Sequence, residues 1–161
     1  MNIFNIRFSL TLLLVSLISL PSLSDSYFDA GESKISIISE SKKISSNDKI
    51  LIGIEFDLMP GWHTYWKNPG DAGGAAEVIW NLPKNVMSSE ILWPGPEMIP
   101  VEPLMTYGYE DEVTLLTELK IGEEAKFPIK IEGKVTGYTC TDMCIPEEGA
   151  VSLLLKSVEK L

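Results

Sequence analysis

From Ile50 onward the apolar side chains fall on every second residue, Ile50, Ile52, Ile54, Phe56 and Leu58, and apart from Leu51 the residues between them are Gly53, Glu55 and Asp57. Period two marks a strand with one face buried and one wet, because successive side chains leave a pleated backbone on opposite sides. The alternation returns at Phe127, Ile129, Ile131 and Val135, and again at Val151, Leu153 and Leu155. Shorter candidates occupy residues 35–38, 78–82 and 113–119. Turn-forming groups stand between them, among them Ser45-Ser46-Asn47-Asp48, Asn68-Pro69-Gly70-Asp71, Pro94-Gly95-Pro96 and Ile121-Gly122-Glu123. With 12 Gly and 10 Pro spread through 161 residues, no window beyond the N-terminal run sustains a 3.6-residue apolar stripe. The expected fold is all-β: about six to eight short strands in an immunoglobulin-like β-sandwich with long loops. Residues 68–76 and 93–105 read as those loops, and long loops in compact domains often carry function.

The first stretch sets the compartment. Arg7 precedes an apolar run over residues 8–20, of the length of a secretory core and shorter than an ordinary membrane span. Pro21 breaks it, and Ser22-Leu23-Ser24 places small residues where a signal peptidase reads. We expect residues 1–24 to be a signal peptide and residues 25–161 one exported domain. An uncleaved anchor is the alternative, and it exports the domain equally.

Charge excludes several partners. The chain carries 13 basic and 23 acidic side chains, a formal charge of −10, and its single arginine is Arg7. Nucleic acid and anionic membrane surfaces are bound through clustered Lys and Arg, so neither is an expected partner.

Two cysteines, Cys140 and Cys144, are the only ones in the chain. Such a pair can be a staple, half a metal site or a redox switch. If Thr141, Asp142 and Met143 form a hairpin tip, the cysteines face each other across antiparallel strands at a separation a disulfide can span. On loop entropy, closing so short a ring stabilises by only about 2 kcal/mol, and a domain of this size need not depend on it. Asp142 inside the loop and Glu147-Glu148 beyond it raise a thiol pKa, and no helix N-terminus is evident to lower it. This setting favours a carrier attacked by a partner's thiolate over a self-activated oxidoreductase of the thioredoxin type.

Other candidates have plainer readings beside the functional ones. His63, the only histidine, sits among aromatics in Gly61-Trp62-His63-Thr64-Tyr65-Trp66 and reads first as structural. With Met143, Cys140 and Cys144 it could complete a soft Cu(I) site, whereas zinc lacks enough strong ligands. Trp62, Trp66, Trp80 and Trp93 read as packing residues before they read as a sugar platform. Tyr107-Gly108-Tyr109-Glu110 reads as a solvated turn between strands, or as a mobile flap able to cover a reactive pair. No phosphate loop, Ser-His-Asp set or paired carboxylates stand out.

Four segments carry a family resemblance: residues 61–73 (GWHTYWKNPGDAG), Trp93-Pro94-Gly95-Pro96, Tyr107-Gly108-Tyr109-Glu110, and Cys140-Thr141-Asp142-Met143-Cys144-Ile145-Pro146-Glu147. In this order they resemble the N-terminal periplasmic domain of the thiol:disulfide interchange protein DsbD family, in its ScsB-like branch linked to copper tolerance. The resemblance implies an immunoglobulin-like domain in the periplasm of a Gram-negative bacterium. It implies that Cys140 and Cys144 take electrons from a membrane-embedded DsbD/ScsB-like carrier, supplied ultimately by cytoplasmic thioredoxin. They would pass these electrons to periplasmic thioredoxin-fold proteins, without a bound cofactor. Tyr107, Gly108 and Tyr109 match the family's cap loop over the reduced cysteines, with Glu110 and Asp142 bordering the site. The stretch between the cysteines is shorter than in the best-known members, and the domain is expected either to be a stand-alone subunit that works with a separately encoded membrane protein or to be a relative that has kept the shape and changed the task. The competing expectation is a Cu(I)-binding or structural interaction module with a static disulfide.

Overall fold

A computed structural model describes residues 26–158, and the expected signal peptide lies outside them. Twelve strands are present among these residues and no helix. In chain order they are β1 (Tyr27–Asp29), β2 (Ser33–Ser39), β3 (Lys43–Ile44), β4 (Lys49–Leu58), β5 (His63–Gly70) and β6 (Glu77–Asn81). They continue as β7 (Val86–Ser88), β8 (Glu97–Val101), β9 (Leu104–Glu110), β10 (Glu112–Ile121), β11 (Ile129–Cys140) and β12 (Cys144–Ser157).

One sheet has the order β1-β2-β4-β10-β7. The other runs β3-β12-β11-β5-β9-β8, with β6 pairing β11 on the edge that β5 takes further along. All pairings are antiparallel except that of β3 with β12. Alternation is what welds the sheets together. Ile35, Ile37, Ile52, Ile54, Phe56, Leu115 and Leu119 from the first meet Ile129, Ile131, Val135, Val151, Leu153 and Leu155 from the second in one buried core. Each fully buried aliphatic side chain contributes about 1.5–3 kcal/mol, so the core, and no single staple, holds the sandwich.

The strand count exceeds the sequence expectation. Strands β1, β3, β7 and β8 have two to five residues each, too few for a period to show. The region expected as a loop over residues 93–105 contains β8 and the start of β9, and residues 68–70 close β5, leaving residues 71–76 as the loop. Tyr107-Gly108-Tyr109-Glu110, expected as a turn or flap, is instead the C-terminal end of β9, paired to β5 and in part to β8. Tyr109 is buried there and donates its hydroxyl to the Pro94 carbonyl at 2.8 Å.

Candidate functional site

The site grows from the longest hairpin. Strands β11 and β12 pair without a break from Ile129↔Leu155 to Cys140↔Cys144, and Thr141, Asp142 and Met143 form the tip. The Thr141 amide donates to the Met143 carbonyl at 3.2 Å, closing the turn. Facing residues of an antiparallel pair approach closely, and here the Cα atoms stand 4.1 Å apart with the sulfurs bonded at 2.06 Å. The two halves of the disulfide differ in access: Cys140 is completely buried, whereas Cys144 is exposed beside Met143, which is 71% exposed.

Register across the sheet supplies the neighbours. Glu110 on β9 pairs with His63 on β5, His63 pairs with Cys140 on β11, and Cys140 pairs with Cys144 on β12. Paired residues share a face, so the four side chains form one row across four strands. Tyr65, two residues after His63 and therefore on the same face, adds a further group. Its hydroxyl lies 3.2 Å from His63 Nε2 and 3.4 Å from Cys144 Sγ. The His63 and Tyr65 rings meet edge-to-face with centroids 5.2 Å apart. Both residues are buried, and burial pushes the Tyr65 hydroxyl pKa up and the His63 pKa down. The Glu110 carboxylate partly opposes the shift on His63.

Two glycines permit this packing. Gly108 opposes Tyr65, and a Cβ there would stand 2.0 Å from the Thr64 carbonyl oxygen, so only glycine lets β9 approach β5 this closely. Gly73, in the loop after β5, lies against the Tyr65 ring and adopts φ +83°. Gly74 sits against Tyr138 in the same way, so this loop roofs the tyrosine.

The acidic surroundings differ from the sequence expectation. Asp142 is exposed at the tip, and Glu148 forms an exposed ion pair with Lys134 at 2.8 Å. Glu147 turns inward, 4% exposed, and accepts from the Ser33 hydroxyl of the opposite sheet at 2.8 Å. Burial pushes its carboxyl pKa up, countered in part by the Thr139 and Ser33 hydroxyls, while Glu32 adds to the rise. Thr139 lies beside it, yet neither Thr139 Oγ1 nor Glu147 Oε1 meets a hydrogen-bond partner within full geometry. Acidity next to the cysteines therefore reduces to Asp142 and Glu110.

Of the residues singled out in the sequence, Cys140, Cys144, His63, Gly108 and Glu110 come together. Tyr107 faces β8 and packs over Gly70, away from the row. Met143 projects from the tip, and both sulfurs are spent in their mutual bond. Among the described residues no cluster of three His, Cys, Asp or Glu side chains is arranged to hold a metal ion. Trp62, Trp66, Trp80 and Trp93 pack against the core as expected. Tyr65 escaped the sequence reading. Its available signal was the two-residue spacing from His63, which places both on one face if the segment is a strand.

The site is thus a disulfide at a hairpin tip of an all-β sandwich, with Cys140 buried and Cys144 exposed. The family model for the N-terminal domain of the thiol:disulfide interchange protein DsbD matches residues 36–156, and the chain belongs to that family. Among solved structures, the N-terminal periplasmic domain of ScsB from Proteus mirabilis matches with a TM-score of 0.63 at 27% identity, over 81% of this chain and 50% of that one. This chain thus spans about half of that solved chain, and the shared fold is the immunoglobulin-like one. The yeast GGA1 GAE domain-P21 structure aligns over 79% of this chain and 96% of that one at 14% identity, but its TM-score of 0.36 carries no argument. Comparison with curated proteins returned no match.

Proposed function

We propose that this domain works in the periplasm as a two-electron relay, accepting electrons from a membrane-embedded DsbD/ScsB-like carrier and delivering them to thioredoxin-fold proteins. The observation that carries this reading is the unequal exposure of the two cysteines, Cys140 being buried and Cys144 exposed. Exchange requires a thiolate to reach one sulfur in line with the bond, while the other leaves. With Cys140 buried and Cys144 exposed, the attack falls on Cys144. On reduction, a donor thiolate bonds to Cys144 Sγ, the Cys140–Cys144 bond breaks, and Cys140 takes the electron pair and a proton. A second donor thiol then displaces Cys144, and the donor leaves as a disulfide. Delivery is the reverse: Cys144 attacks the acceptor's disulfide, and Cys140 resolves the mixed disulfide. Export by residues 1–24 and the absence of any bound cofactor belong to the same proposal.

The test is trapping. Cys140→Ser should accumulate a mixed disulfide between Cys144 and a thioredoxin-fold partner, because the resolving thiol is gone. Cys144→Ser should trap little, its remaining thiol being buried, and the double variant should fold and be inert. A failure of both single variants to trap, together with a wild-type bond that thioredoxin-like proteins cannot reduce, overturns the reading in favour of a static staple.

A further inference from the structure

His63 and Tyr65 take no part in the electron transfer just described, yet the fold seals both beside the accessible sulfur. A disulfide sulfur carries no hydrogen, so in the 3.4 Å contact the Tyr65 hydroxyl donates to Cys144 Sγ. Its oxygen is left to accept from His63 Nε2 at 3.2 Å. The result is an unbroken line of exchangeable hydrogens from a buried imidazole to the one sulfur that a partner can reach.

Resting on the exchange reading above, we propose that Tyr65 is a catalytic residue and His63 a positioning residue that together form a proton relay serving Cys144. In the reduced domain His63 is the Nδ1–H tautomer with Nε2 free, and when Cys144 attacks a partner disulfide its thiol proton passes to the Tyr65 oxygen while the Tyr65 hydroxyl proton passes to His63 Nε2. The Cys144 sulfur bonds to the attacked partner sulfur, the partner's S–S bond breaks, and its second sulfur departs with the electron pair as a thiolate. The imidazolium then releases its Nδ1 proton to solvent, which restores the Nε2–H imidazole, and the departed thiolate takes up a proton from solvent. On reduction of the domain His63 Nδ1 first takes up a proton; the imidazolium's Nε2 hydrogen then passes to Tyr65 while the Tyr65 hydrogen protonates the Cys144 sulfur as the donor displaces it.

The groups facing His63 suit this role. Glu110 on β9 stands beside it and attracts an imidazolium, Cys140 on β11 borders it on the other side, and Tyr65 is its hydrogen-bond partner. Burial outweighs Glu110 and keeps the imidazole neutral near pH 7, free to accept a proton. A relay of this kind removes the thiol proton during attack instead of lowering the resting thiol pKa. It thereby supplies what the acidic tip and the missing helix N-terminus do not.

The experiment uses the chain carrying Cys140→Ser, so that Cys144 is the only thiol, and oxidised glutathione as the probe. Its rate of mixed-disulfide formation is followed from about pH 5 to pH 10, spanning the imidazole and thiol ranges. Adding Tyr65→Phe or His63→Gln should slow the reaction about tenfold or more near neutrality. Above the thiol pKa no proton remains to be moved, and the three profiles should converge. Profiles that superimpose at every pH, or that differ by one constant factor throughout, overturn the relay and leave a packing role. Because the probe is a small disulfide, these profiles are readable even where thioredoxin-fold proteins fail to react, a result that overturns the exchange reading instead.

Discussion

Gly73 lies directly against the ring of Tyr65, so closely that a Cβ added to the glycine would stand 2.1 Å from Tyr65 Cζ. The contact joins a loop that carries no catalytic group to the one tyrosine that touches the disulfide. It accounts for the glycine twice over, since the position also holds φ +83°, which L side chains rarely adopt.

Gly73→Ala is therefore expected to lift the loop off Tyr65 at a cost of about 1–3 kcal/mol, as backbone strain adds to the clash. Denaturant unfolding reads the loss. The clash should also expose Tyr65, so its alkaline ionisation should move back toward the usual phenol range from its raised value. A variant as stable as the parent, with unchanged tyrosine titration, would show that the loop does not bear on the ring.

Glu147 gives a prediction with a definite sign. Its folded pKa lies above the ordinary 4.5, so the folded state holds the proton to higher pH than the unfolded chain does. The associated stability is fully present below about 4.5 and is lost as pH rises through the folded value. Glu147→Gln keeps an acceptor for Ser33, removes the charge, and offers an amide hydrogen toward Thr139. It should raise the unfolding free energy by about 1 kcal/mol near neutrality, with the gain vanishing in acid. Unfolding curves at several pH values measure this, and a variant less stable than the parent at every pH would refute it.

Tyr109 links β9 to the segment before β8 through its hydroxyl, which donates to the Pro94 carbonyl. Burial pushes its pKa from 10.0 up to about 12. Stability tied to the neutral phenol is thus intact below pH 10 and is lost between there and the folded value. Tyr109→Phe should cost about 1 kcal/mol at neutral pH through the lost hydrogen bond. The deficit should shrink as pH rises through that window, and a deficit constant with pH would exclude the linkage.

Much of this architecture is legible in local pattern. The alternation from Ile50 to Leu58 reports β4 directly, because Ile50, Ile52, Ile54, Phe56 and Leu58 are all buried. The hairpin at Cys140 and Cys144 follows from three intervening residues, which suffice to reverse a chain and bring strand ends into register. Tyr107-Gly108-Tyr109-Glu110 misled because aromatics, glycine and acid together look like a wet turn. Glycine serves there to let two strands approach, a demand that comes from the neighbouring strand and leaves no mark on β9 alone. Glu147 misled for a related reason. Charge next to a cysteine looks like electrostatics at the sulfur, but strand alternation sends Glu147 and Glu148 to opposite faces.

By itself, then, the amino-acid order determined an all-β chain with a cysteine pair poised at a turn, because alternation and close spacing act over a few residues. The tertiary structure alone decided that Cys140 is sealed while Cys144 is open, and that Glu110, His63 and the cysteines share one row. It also decided that Tyr65 touches the open sulfur. These relations depend on the register between strands about forty to eighty residues apart in the sequence, as the partners of His63 and Tyr65 show. That register is set by packing two whole sheets around a common core, a constraint that no short window of sequence contains.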